Sequence, residues 1–142
     1  MKKRLKKKLT LLLFEAVMSG DATGVKTLLR RGASPVRREY GTTPLYLASV
    51  GGQTEVARLL MEAGASPNIE SSGDGWAGLP LCAAACWGHT DTVRELLAHG
   101  ADPNLREDYG TGSSPLDWAD REPHPETAEL LRAAGAESTD AL

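Results

Sequence analysis

Apolar residues in this 142-residue chain recur at fixed offsets and never in long runs. Leu13, Leu45, Leu81 and Leu116 each stand three residues before a small residue, Ala16, Ala48, Ala84 and Ala119. Further along come Val25, Ala57, Val93 and Ala128, and three residues after each of these Leu28, Leu60, Leu96 and Leu131. Gaps of three and four put side chains on one face of a helix, where a strand would need alternation. Each cycle therefore predicts two short amphipathic helices, parted by Gly20, Gly52 and Gly88, with Pro123 breaking the series in the fourth cycle.

The punctuation agrees. Gly-Ala occurs at 32–33, 64–65, 100–101 and 135–136, and Pro44, Pro80 and Pro115 precede the last three of these glycines by twenty residues, with Leu12 in that place in the first cycle. Thr43-Pro44 and Ser114-Pro115 supply an N-cap hydroxyl and a proline at the first helical position, where a missing N–H costs nothing. Glu55, Asp91 and Glu126 fall in the first turn of each second helix, facing the positive end of its dipole, and Pro125 suits the first position of the last one. Gly32, Gly64, Gly100 and Gly135 read as left-handed caps. A period of 32 to 36 residues is the mark of a solenoid.

Two segments carry a family pattern. Residues 41–48 read GTTPLYLA and residues 87–104 read WGHTDTVRELLAHGADPN, and both resemble ankyrin repeats. The resemblance covers roughly 11–137, four units at about 11–40, 41–76, 77–111 and 112–137, with a basic extension over 1–10 and a flexible tail over 138–142. It implies an all-α ankyrin-repeat solenoid of helix–turn–helix units joined by β-hairpin-like fingers. The chain departs from the pattern in several places. Leu11-Leu12 replaces Thr-Pro, Leu79 replaces the capping Thr of the third unit, and the histidine two residues after the proline is replaced by Phe14, Tyr46, Cys82 and Asp117. The last change removes a polar contact the family uses in its loops. Fingers two and three are longer than usual, and glycines 73, 75, 78, 110 and 112 make them flexible. Arg132 stands where Leu29, Met61 and Leu97 stand in the other units, so the fourth unit reads as a polar cap with a frayed tail from Ala136.

Composition narrows the class. Two cysteines do not make a disulfide scaffold, and no apolar run reaches membrane-spanning length. The start imitates a signal peptide, but Glu15 interrupts the apolar run and Leu13, Ala16 and Gly20 keep the repeat register. A cytoplasmic protein is expected. Charge is sharply divided: eleven basic and three acidic residues give +8 over residues 1–40, while five basic and sixteen acidic residues give −11 over the remainder. The basic patch is Lys2, Lys3, Arg4, Lys6, Lys7 and Lys8. It reads first as a solvated extension that keeps the end soluble. Against that stands an electrostatic contact with nucleic acid, anionic lipid or an acidic protein. Nucleic acid is disfavoured by the acidic body and the lack of interleaved aromatics, and lipid by the thin apolar face of Leu5 and Leu9. A monomer is expected, with a basic-to-acidic, head-to-tail contact as the route to weak self-association.

No catalytic site and no cofactor is expected. Cys82 and Cys86 share a helix face and His89 follows the turn, but no fourth zinc ligand is visible, and small residues are what these helix positions take. A helix also holds the two cysteines too far apart for a disulfide. Gly73 to Gly78 matches a phosphate loop in letters only, being preceded by no strand, and His89, His99 and His124 are read as lying in different parts of the register. The seven aromatics are more informative. Phe14 and Trp118 are expected to pack. Tyr40, Trp76 and Tyr109 fall in fingers, and Trp87 precedes an inter-helix glycine, at the helix end that carries Val50 and Cys86. By resemblance, fingers and this helix end make the contact surface for a partner protein: Glu39, Tyr40, Thr42, Tyr46, Asp74, Trp76, Cys86, Trp87, Asp108, Tyr109, Ser113 and Arg121. Aromatic anchors around Trp76, ringed by Asp74, Glu107 and Asp108, would suit a partner patch with an apolar centre and a basic rim. A scaffold of protein–protein interaction is the expected function, with an adaptor for an anionic polymer or membrane as the alternative.

Overall fold

The computed structural model describes residues 2–73 and 76–139. Among them the chain forms four helix pairs: α1 (Lys3–Ser19) with α2 (Ala22–Arg30), α3 (Pro44–Val50) with α4 (Thr54–Glu62), α5 (Pro80–Cys86) with α6 (Thr90–Ala98), and α8 (Pro115–Arg121) with α9 (Pro125–Ala133). The pairs stack in order, α1, α3, α5 and α8 forming one layer and α2, α4, α6 and α9 the other. The all-α solenoid follows from the sequence pattern: Leu13, Leu45, Leu81, Leu116 and the alanines three residues later are buried between the layers, together with Leu60, Leu96 and Leu131. Alanine at the closest crossing lets neighbouring helices approach, and the leucines fill the space that remains.

The helix ends behave as their residues dictate. Thr43 Oγ1 accepts from the Tyr46 N–H at 3.2 Å, and Ser114 with Asp117 forms a full capping box. Leu79 leaves α5 with no side-chain cap. Each second helix ends in a Schellman turn, with Ala33, Ala65, Ala101 and Ala136 donating back to Leu28, Leu60, Leu96 and Leu131 across the left-handed glycine. Gly52 and Gly88 are demanded twice over. Both have positive φ, and a Cβ on either would lie 2.5 or 2.4 Å from the Nδ1 of the next unit's histidine.

Those histidines correct one reading. His89 and His124 occupy the same register position, and each Nε2 donates at 3.0 Å to a first-helix carbonyl of the preceding unit, Val50 and Cys86 respectively. Asparagines add a second clamp. The Asn68 amide donates to Gly100 O and accepts from the Asp102 N–H, and Asn104 does the same with Gly135 and Glu137. The first joint lacks both devices, because Gln53 and Val36 stand in those places. Gln53 Oε1 is buried with no hydrogen-bond partner among the described residues.

The replaced loop histidines do not leave the loops unsupported. Tyr46 Oη donates to Ala77 O at 2.9 Å, Cys82 Sγ reaches Ser113 O at 3.9 Å, and Asp117 accepts from the Thr139 N–H at 3.0 Å. Three substitutions at one register position thus tie α3, α5 and α8 each to the segment that follows its own helix pair. The same region corrects the frayed tail: Ala136 is buried, Glu137 is hydrogen-bonded to Asn104 of the third unit and Ser114 of the fourth, and Thr139 to Asp117. Residues 140–142 lie outside the described residues. The fingers are likewise ordered where described. In finger two, β1 (Ser71–Gly73) pairs antiparallel with β2 (Trp76–Gly78). Gly73 has no room for a Cβ, which would meet Tyr40 O at 2.3 Å, so fingers one and two touch backbone to backbone. In finger three α7 (Glu107–Gly110) is a single turn closed by Glu107 N–H to Ser113 O.

Candidate functional site

Finger one closes in a two-residue turn. Glu39 and Thr42 exchange two backbone hydrogen bonds of 3.0 Å, leaving Tyr40 and Gly41 at the tip with φ of 51° and 81°. A hairpin of this length takes positive φ at both central residues to match the strand twist, and Asn-Gly is the usual solution. Here the first position is a tyrosine, held in the left-handed region and 94% exposed. Finger three also holds non-glycine residues in the left-handed region, in a longer turn closed by Gly112 N–H to Glu107 O: Asp108 and Tyr109 have φ of 51° and 54°, and Tyr109 is 86% exposed. Two aromatic rings are thus carried into solvent on strained backbone, a placement that packing does not explain.

Beside Tyr40 lies an apolar groove of about 590 Å³. Its walls are Leu11, Phe14 and Met18 from α1 and Leu47 and Val50 from α3, with Glu15 and Glu39 at its edges and Gln53 at one end. Met18 is 72% exposed, the most exposed of the apolar side chains on α1. Of the residues expected on a contact surface, Glu39, Tyr40 and Thr42 meet in this groove. The wall residues were missed, yet the register held the signal: Met18 and Val50 occupy the same position as Cys86 and Arg121.

Several expected surface residues sit elsewhere. Tyr46 is buried and serves as a strut to Ala77, and burial, then the charges of Glu107, Cys82 and Cys86, push its phenol up to about 12. Thr42 lines the groove wall but is itself buried. Glu107 is no rim acid. It folds in beneath finger two, where Oε2 accepts from Trp118 Nε1 at 3.3 Å and Oε1 would meet a Cβ on Gly78 at 2.7 Å. Arg121 stacks over the Trp118 ring at 4.6 Å from its centroid and donates to Ser113 Oγ. Cys86 is half-buried, Trp87 is exposed at the end of α5, and Asp108 is exposed. Asp74 and the Trp76 side chain lie outside the described residues.

Burial raises the Glu107 carboxyl above its ordinary range, against the hydrogen bonds from Cys82, Trp118 and Leu79. The folded chain therefore keeps this proton at pH values where the unfolded chain has lost it, so stability falls as pH rises from the ordinary carboxylate range through the raised one. Glu107→Gln is expected to flatten that slope. Urea midpoints of both proteins from mildly acidic to neutral pH check it, and parallel curves would contradict it.

The surroundings of both thiols favour the protonated form. Burial foremost, then nearby carboxylates, pushes the Cys82 thiol well up and Cys86 up as well, disfavouring the thiolate. His89 is engaged with Val50 O, and among the described residues no three His, Cys, Asp or Glu side chains converge. No helix among them is long and apolar enough to cross a membrane.

Comparison with known proteins places this architecture. A family profile described as ankyrin repeats (3 copies) matches residues 2–71 and again 70–141. Human protein phosphatase 1 regulatory subunit 27 is 44% identical over 54 residues, 37% of this chain and 35% of that protein. Zygote-specific protein 3 of Chlamydomonas reinhardtii is 41% identical over 58 residues, 41% of the chain and 16% of the relative. An ADP-ribosylation factor GTPase-activating protein of Arabidopsis thaliana is 40% identical over 63 residues, 44% of the chain and 8% of the relative. The chain thus spans about a third of the length of the first of these relatives and far less of the other two. Stacked helix pairs, hairpin fingers and a profile match along nearly the whole sequence give one conclusion: the chain belongs to the ankyrin-repeat family.

Proposed function

We propose that this protein is a non-catalytic module that binds a partner protein through the concave, finger-side face of its solenoid, centred on the groove between α1, α3 and finger one. The observation that carries the reading is the meeting of five apolar side chains from two units beneath a solvent-borne tyrosine on strained backbone. Tyrosine anchors interfaces because it offers a large rigid contact at low entropy cost. The edge carboxylates, Glu15 and Glu39, suit a partner segment that inserts an apolar side chain flanked by lysine or arginine. Support also comes from the family and from a relative named as a regulatory subunit of a phosphatase. The centre of the surface thereby moves from Trp76, the anchor expected from sequence, towards Tyr40.

The test uses a partner captured from cell extract, then purified. Met18→Glu puts a charge into the groove at an exposed position, so the fold is kept, and affinity is expected to fall at least about tenfold. Arg94→Ala on the second-helix layer is expected to change nothing. Equal loss with both variants, or with neither, would sink the groove as the binding surface.

A further inference from the structure

We propose that the N-terminal end of α1 is a docking arm for anionic phospholipid headgroups. The arm is a consequence of helix length. α1 runs for 17 residues, whereas α3, α5 and α8 run for 7 each. In the repeat register Leu12 stands where Pro44 begins α3, so residues 3–11 are extra, and at about 1.5 Å per residue they carry the helix roughly 13 Å further. Thr10 Oγ1 accepts from the Ser34 N–H at 3.2 Å, which sets finger one against the base of the arm.

The arm holds Lys2, Lys3, Arg4, Lys6, Lys7 and Lys8, all exposed, and among the described residues none of them forms an ion pair. Its apolar side differs from the one the sequence suggested. Leu9 is 2% exposed and belongs to the core, while Leu5 and Leu12 are 44% and 37% exposed. These two are seven residues apart and share one side of the helix. Lys2 and Lys8 flank Leu5 at three residues on either side. The strip therefore alternates cation and leucine. At a lipid surface the leucines dip below the headgroups while the lysines reach back to the phosphates. A nucleic-acid groove has phosphates but nothing for the leucines, which is why lipid is the better fit. The acidic majority, net −11 over residues 41–142, starts only after the first unit. With screening over about 8 Å in physiological salt, an arm of this reach contacts an anionic plane before that charge is felt.

The experiment is co-sedimentation of the full chain with vesicles of phosphatidylcholine, with and without phosphatidylserine. Wild type is expected to partition to the phosphatidylserine vesicles and to be released by salt. The triple variant Lys2→Gln, Arg4→Gln, Lys8→Gln is expected to bind about a hundredfold more weakly, and Leu5→Ser several-fold more weakly. Because these side chains are exposed, both variants should keep the wild-type circular dichroism, which separates lost binding from lost folding. No partition to phosphatidylserine vesicles, or equal partition to neutral ones, would overturn the proposal. So would tighter binding to a random-sequence DNA duplex that ignores Leu5→Ser, which would assign the arm to nucleic acid.

Discussion

Replacing Tyr40 with glycine is expected to make the protein more stable and a poorer binder. Tyr40 sits at φ 51° in a turn whose next residue is also left-handed, so its Cβ crowds the following carbonyl. That conformation costs roughly 1–2 kcal/mol, and glycine's greater loss of freedom on folding returns about 0.5–1 of it. The net gain is then about 0.5–1 kcal/mol, because a ring in solvent has little packing to lose. An anchoring tyrosine is worth about 2 kcal/mol at an interface, so affinity for a purified partner should fall about thirtyfold. Thermal melts and binding titrations on the same samples give both signs. Tyr40→Asn is a useful third protein, since asparagine tolerates the left-handed region and keeps the turn while removing the ring. Binding unchanged in both variants would remove Tyr40 from the interface. Stability that drops in the glycine variant would mean that the ring packs where it is described as free.

The second large effect contrasts two leucines at one register position. Leu60 lies between the α3–α4 pair and both neighbouring units and is fully buried, while Leu28 in the first unit is only half-buried. Leu60→Ala removes apolar contacts and leaves a cavity that packed helices fill incompletely, costing about 3 kcal/mol. Leu28→Ala should cost about 1 kcal/mol, since part of that side chain already meets water. Each unit touches only its neighbours, so Leu60→Ala also weakens coupling along the array, and its unfolding transition should broaden. Urea denaturation compares the two, and equal costs would mean the first unit is sealed as tightly as the second. The first joint is also the less clamped one: without the histidine and asparagine hydrogen bonds of later joints, α1 and α3 are held mainly by side-chain packing.

Much of this was legible in the chain. Period, caps and left-handed glycines are local properties. A proline at the first helical position or a glycine past the last one does its work within a few residues, so most helix boundaries followed from short-range rules; α1 is the exception, running on from Lys3 through the segment expected as a separate extension over 1–10. The inward leucines and alanines followed as well, because a helix can bury only one stripe. Side-chain exposure was read less well. Tyr46 and Thr42 carry the composition of an interface, yet both are buried, and Glu107 looks like a rim acid until finger three turns it beneath finger two. These outcomes depend on which loop of the next unit arrives beside them, about thirty residues away.

By itself, then, the sequence determined the family, the repeat period, the helix-capping residues and the division of charge, because each is written in residue type and spacing. Only the tertiary structure decided the rest. Stacking put Leu9 in the core and left Leu5 and Leu12 outside, tied residues 136–139 to the fourth unit, and drew Leu11, Phe14, Met18, Leu47 and Val50 into one groove. The physical reason is that burial is a property of pairs: a side chain is core or surface according to what the neighbouring unit places against it.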